Sequence, residues 1–392
     1  MRPNKRRRLA AGIVACVGLS TLSGWVVSAP KPPVSICARH DLDSDACAST
    51  ADQPAPTSSG AATKWHPGHY MQILRGGSQL QQAERFLQYD TIAHEENIEG
   101  VVVPMPWSQL EQSRGDYAAG IRLLEAELDK LRSLPVPKRM FVRLMDSGYL
   151  DECPATSMIP KYVSDAGGTF KTGKGCMWRR WDPTVMGYYI DMLKAYAEAF
   201  DDDPYFEGIV VLREIPLAWG GTQAPSDYSN RGYRKQLDRL MTEAVAAFEK
   251  SLVVSPTSWV GSEIETVHHI EHVSSIRGAV GNMDVCPDCD MWADLAIRGE
   301  LGDTDYRGKI PLVYSVETSV LGLDAVGPDG GYMPSEIYRW ANDVQRVTHL
   351  FWDRNDYAGS SGQRWPAILD LIRSNPLTNL DCPEKVAACA SD

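Results

Sequence analysis

From Trp65 onward, short runs of Val, Ile and Leu alternate with longer stretches whose apolar residues recur three and four positions apart. That is the pattern of strands each followed by an amphipathic helix. The runs predict eight strands: Tyr70–Leu74, Gly100–Val103, Met140–Leu144, Gly208–Leu212, Leu252–Ser255, Ala279–Met283, Leu312–Val316 and His349–Trp352. Between them, Ile121–Leu134, Val185–Phe200, Tyr233–Lys250, Glu263–Ile276 and Glu336–Val347 read as helices with one apolar face. A run such as Gly208-Ile-Val-Val-Leu212, apolar at nearly every position, suits a parallel strand covered on both faces. Eight such units predict an α/β protein with a single (β/α)8 TIM barrel over residues 64–378. The competing open, doubly wound sheet needs a glycine-rich loop after its first strand, and Arg75-Gly76-Gly77 is too short to be one.

The ends of the chain do not follow the pattern. Residues 1–29 pair a basic stretch, Asn4 to Arg8, with an apolar run from Leu9 to Ala29, which reads as an export signal or a signal anchor. A cut after Val27-Ser28-Ala29, an uncleaved anchor and lipidation at Cys16 are all open. Residues 30–63 combine a small segment holding Cys37 and Cys47 with a linker rich in Pro, Ser, Thr and Ala, and residues 379–392 form a tail with Cys382 and Cys389. Export fits the cysteine usage, since eight of the nine cysteines lie outside the signal and an even number can form disulfides. Proximity suggests the pairs Cys37–Cys47, Cys153–Cys176 and Cys382–Cys389, and leaves Cys286-Pro-Asp-Cys289 as the ambiguous pair. The expected locations are therefore secreted, periplasmic or anchored at the cell envelope.

Charge narrows the partners. The formal net charge is -12 even with the basic N-terminal cluster counted, and an acidic surface repels phosphate backbones and anionic lipids. No nucleic acid is expected as a partner, and a membrane only through the N-terminal anchor. Neutral sugars remain open.

In a barrel of this kind chemistry sits at the carboxyl ends of the strands. Two glutamates stand there: Glu214 after the fourth run and Glu317 directly after the seventh. A carboxylate beside an apolar strand is costly without a purpose, and two facing each other across a cleft can split a glycosidic bond. Neither needs a metal or an organic cofactor for that.

At these residues the chain resembles the retaining (β/α)8 glycoside hydrolases of clan A, whose acid/base follows strand four and whose nucleophile follows strand seven. The resemblance extends to Val101 through Trp107-Ser-Gln-Leu-Glu111 and Gly115-Asp-Tyr117, and to Trp352 at the position of the aromatic platform beneath the reacting sugar. It implies an oligo- or polysaccharide substrate, with Glu214 as acid/base and Glu317 as nucleophile. Two departures bear on activity: Arg213 stands where these enzymes carry Asn, and Thr318-Ser319 replaces the usual aromatic-Gly pair. A barrel that binds carbohydrate without cleaving it is the alternative.

Other strand-end residues are candidates for binding. Trp107, Trp219, Trp259 and Trp352 fall at or just past strand ends, with Trp178 and Trp181 in the long connection after strand three, and flat rings stack on sugar faces. Arg143, Asp146, Arg213, Asn282, Asp284 and Tyr314 are candidate polar partners. The connection from Asp146 to Asp182 is long enough to wall a cleft. A distant alternative is a zinc peptidase, because His268-His-Ile-Glu-His272 has the H-x-x-E-H spacing; the segment otherwise reads as the exposed face of a surface helix.

Overall fold

The computed structural model describes residues 61–73, 81–149, 152–155, 157–173, 175–213, 217, 223–258, 260–282, 285–287, 291–317, 332–354 and 364–391. Eight parallel strands close into a barrel: β1 Gly68–Gln72, β2 Ile98–Pro106, β3 Arg139–Met145, β4 Phe206–Val210, β5 Leu252–Pro256, β6 Ala279–Asn282, β7 Leu312–Val316 and β8 His349–Asp353. Each strand hydrogen-bonds to the next in sequence, and β8 pairs with β1 through Phe351↔Tyr70 and Asp353↔Gln72. An α-helix follows every strand: α1 Gln82–Asp90, α2 Ala118–Arg132, α3 Pro183–Phe200, α4 Asn230–Ala247, α5 Glu263–Ser275, α6 Trp292–Ile297, α7 Pro334–Arg339, which continues as a π-helix over Trp340–Gln345, and α8 Arg364–Ser374.

Side chains alternate across each strand, so one parity fills the barrel and the other packs on the helices. Tyr70, Val102, Phe141, Val210, Leu252, Val254, Ala279, Val313 and Phe351 form the filling. Gly100 and Gly208 make room for it, since a Cβ at either would lie 2.7 Å or less from the ring of Tyr70 or Phe141. The same parity carries Gln72, Arg143 and Ser315 inward, one level nearer the carboxyl ends. Met71, Val103, Leu144, Tyr314 and Trp352 belong instead to the larger cluster between sheet and helices.

At the amino end the chain enters through Thr63–Lys64, which pairs in parallel with Cys389–Ala390, and a Cys382–Cys389 disulfide ties that tail. Lys64 seals this end by donating to the carbonyls of Asp203 and Phe206 and to Ser251 Oγ. Burial lowers its pKa to about 8, against the pull of Asp201 and Glu207.

Two expectations change. The fourth strand ends at Val210, two residues earlier than expected, so Arg213 lies three residues beyond it. Helix α5 does not present its histidines to solvent: His268, His269 and His272 are all buried. His269 bridges Asp238 Oδ1 (2.7 Å) and Ser255 Oγ (2.8 Å), and His272 Nε2 lies 2.8 Å from Thr242 Oγ1, which knits α5 to α4 and β5. Among the described residues no group of three or more His, Cys, Asp or Glu is arranged to hold a metal ion. Finally, the connection after β3 is folded: Gly148–Tyr149, Gly175–Trp178 and Thr169–Thr172 form an antiparallel sheet, and Cys153 is bonded to Cys176.

Candidate active site

The floor of the barrel mouth is a polar layer from β1, β3 and β7, alternate strands, as the layering of such barrels requires. Gln72 Nε2 donates to Ser315 Oγ at 2.7 Å, and Ser315 Oγ lies 3.0 Å from Gln72 Oε1. Arg143 Nη1 donates to Gln72 Oε1 at 3.2 Å. Its Nη2 donates to the carbonyl of Arg213 at 2.8 Å and stands 3.9 Å from Glu317 Oε1. Glu317 follows β7 with the inward parity of Val313 and Ser315, and its side chain keeps 16% exposure while that of Arg143 has 1%. A fixed, buried guanidinium thus faces a carboxylate that solvent can reach. Coulombic attraction acts across the 3.9 Å between them.

Glu214, Trp219, Trp259 and Asp284 lie outside the described residues. Arg213 Nη1 donates to the carbonyl of Ser147 at 3.3 Å, toward the β3 connection. Asp146 is fully buried, holding Arg180 through Nη2 and Nε at 3.0 Å and accepting the Trp178 indole N–H at 2.7 Å. Burial disfavours the Arg180 cation, but Asp146, Tyr233 and Tyr189 together outweigh it and the guanidinium pKa stands above its ordinary value. Asp146 is therefore placed as half of an ion pair, not as a ligand for sugar hydroxyls.

Four further candidates occupy the helix-facing parity or the core. Trp107 is buried against Trp178 and Tyr189, and its indole donates to Glu111 Oε2 at 2.9 Å. Glu111 also accepts Tyr162 OH at 2.6 Å and the N–H of Gly115 at 2.8 Å, so the Trp-to-Gly-x-Tyr segment is a turn, exposed over residues 112–116, built round one buried carboxylate. Asn282 and Tyr314 both donate to Asp294 of α6, at 3.0 and 2.7 Å, behind the sheet. Burial raises the Asp294 carboxyl to about 6, against the lowering effect of those two donors. Trp352 is buried and donates to His69 Nδ1 at 3.0 Å. None of the four is exposed to a ligand in the mouth.

Sequence reasoning passed over Gln72, Ser315 and Asp353, which share the inward parity at the carboxyl ends of β1, β7 and β8. Each lies two residues beyond an inward apolar side chain, Tyr70, Val313 or Phe351, a relation the sequence holds but does not reveal until inward parity is known.

No family model matches the sequence, and no curated protein sequence is detectably similar to it. Solved structures share its architecture at low identity. Endo-glycoceramidase II from Rhodococcus sp., as its lactosyl-enzyme intermediate, aligns at 12% identity over 77% of this chain and 76% of that one, with a TM-score of 0.50. GH5_18 from Streptomyces cattleya, in complex with GlcNAc, aligns at 14% identity over 80% of each chain with a TM-score of 0.52. A β-glucanase from Saccharophagus degradans aligns at 9% identity over 83% of this chain and 98% of that one, with a TM-score of 0.50. In fold, this chain is a (β/α)8 barrel of the kind on which these glycoside hydrolase structures are built.

Proposed function

We propose that this protein is an exported glycoside hydrolase that cleaves an oligo- or polysaccharide with retention of configuration, using Glu317 as nucleophile and Glu214 as acid/base. The observation that carries the reading is the opposition of Arg143 and Glu317 over the Gln72–Ser315 floor, at the end of the barrel where such enzymes act. In this mechanism Glu317 attacks the anomeric carbon while Glu214 protonates the leaving oxygen, and Glu214 then deprotonates the water that releases the sugar. The burial of His268 and His272, with His272 Nε2 against Thr242 Oγ1 and the Asp238 carbonyl, disfavours the peptidase alternative. Disulfides at Cys153–Cys176 and Cys382–Cys389 support an oxidising compartment.

The test is hydrolysis of a panel of activated aryl glycosides, with the first-formed anomer followed by NMR. Retention, abolished by Glu317→Ala, is the expected result. Glu214→Ala should keep kcat/KM on activated substrates, whose leaving groups need no proton, lower their kcat because the water that releases the sugar loses its base, and lose unactivated ones. Sugar binding without turnover, surviving both substitutions, would replace the hydrolase with the binding barrel.

A further inference from the structure

Gln72 ends β1 with its side chain turned into the barrel and wholly buried. Its amide works at both ends: Nε2 donates to Ser315 Oγ at 2.7 Å, while Oε1 accepts Arg143 Nη1 at 3.2 Å. Reversed, the amide would set its N–H groups against those of the guanidinium, so Arg143 fixes which end it meets. Neither partner strand is a neighbour of β1, since β8 lies between β1 and β7 and β2 lies between β1 and β3. The amide therefore joins, across the barrel interior, the strand that carries Arg143 to the strand that leads into Glu317. Ser315 stands two residues before that carboxylate, with the same parity.

A buried guanidinium is ordinarily met by a carboxylate. This chain does so at Arg85 with Glu127 and at Arg180 with Asp146, all four side chains being buried. The acceptor offered to Arg143 Nη1 is instead a neutral amide. The difference matters because a guanidinium carries a single charge, and a hydrogen bond to an ionised acceptor is roughly twice as strong as one to a neutral acceptor. A carboxylate in place of the amide would draw the fork toward itself and away from Glu317, whose Oε1 lies 3.9 Å from Nη2. The amide holds the fork in place and leaves its field on Glu317.

We propose that Gln72 is a positioning residue: its neutral amide sets Arg143 against Glu317 without neutralising the guanidinium, so that the charge acts on the attacking carboxylate. This rests on the glycosidase reading above, with Glu317 as nucleophile.

The experiment compares the full-length parent with Gln72→Glu and Gln72→Met on an aryl glycoside with an activated leaving group, where kcat/KM reports attack by Glu317 and no proton is needed. Glutamate keeps the shape and the acceptor but adds a charge; methionine keeps the bulk and removes the acceptor. Gln72→Glu should lower kcat/KM by about a hundredfold and Gln72→Met by about tenfold. The order is the diagnostic, because a bond that merely packed the floor would be preserved by glutamate and lost with methionine. Gln72→Glu at or above the activity of Gln72→Met therefore overturns the proposal, as does a folded Gln72→Met within about threefold of the parent. Asp353 stands beside Gln72 in the β8–β1 ladder, and two adjacent carboxylates repel. Should Gln72→Glu not fold, as read by a thermal melt, Gln72→Met decides by the same limit. Failure of the underlying reading looks different: Glu317→Ala would keep the parent's turnover, or the parent would cleave no glycoside, and the proposal would fall with it.

Discussion

Arg143 and Glu317 face each other at the barrel mouth, with Nη2 3.9 Å from Oε1, and the same guanidinium bonds Gln72 and the Arg213 carbonyl. Three contacts at fixed angles need a planar fork, which a lysine ammonium does not provide. Arg143→Lys is therefore expected to lower kcat by about a hundredfold, with KM nearly unchanged, because what is lost is the preorganised field on Glu317, the proposed nucleophile. Steady-state kinetics on an activated aryl glycoside, alongside a thermal melt, checks this. A kcat within about threefold of the parent would mean that the guanidinium serves only to pack the floor.

Trp107 was a candidate sugar platform by sequence, yet its indole is spent on Glu111 within the core. Trp107→Phe keeps most of the apolar contact but leaves a buried carboxylate short of one donor. The expected loss is about 1–3 kcal/mol of stability, read from the urea midpoint, with KM for any cleaved substrate unchanged. A weakened KM at unaltered stability would return Trp107 to the binding site.

Cys153 and Cys176 close a loop of 23 residues' separation within the connection after β3. Loop-closure entropy puts the stabilisation from such a cross-link at about 3 kcal/mol. The double substitution Cys153→Ser, Cys176→Ser should lower the urea unfolding free energy by an amount of that order. No change would show that the antiparallel sheet holds the connection without the bond.

The barrel was legible in the chain because its strands are buried on both faces and read as continuous apolar runs; β7 was anticipated to the residue at Leu312–Val316. The same continuity hid which side chains face inward, since a run without alternating polarity carries no parity of its own. Asn282, Tyr314 and Trp352 were read as site residues because they are large or polar at a strand end, and each has the helix-facing parity. Parity had to be taken from three-dimensional neighbours such as Tyr70 and Phe141, after which Gln72, Arg143 and Ser315 fall into one layer. The burial of α5 escaped for a related reason: His269 and His272 are polar, but they satisfy Asp238 and Thr242 in a helix interface, a pairing of residues about 30 apart that local periodicity does not contain.

The last prediction concerns pH. Burial lowers His69 and His349 from 6.5 to about 4, opposed for His69 by the Asn375 carbonyl and for His349 by Glu207. The geometry of His69 agrees: Nδ1 accepts the Trp352 indole N–H and Nε2 lies 2.9 Å from the Asn375 carbonyl, which is the neutral tautomer with both nitrogens engaged. A histidine depressed on folding binds its proton more readily in the unfolded chain. Its contribution is therefore complete above about 6.5 and is lost as pH falls toward 4. Asp294 acts with the opposite sign, since its folded value of about 6 exceeds 3.8, so acid stabilises it over nearly the same window. Each group is worth about 3 kcal/mol by its shift, and two histidines outweigh one carboxyl. The unfolding free energy should then drop between pH 7 and pH 4, measured by denaturant titration at each pH. His349→Phe keeps the ring packed among Trp65, Tyr70 and Phe141 but removes one titration. That variant should lose about 3 kcal/mol less than the parent over the interval, and an identical slope in the two proteins would show that His349 does not resist protonation in the fold.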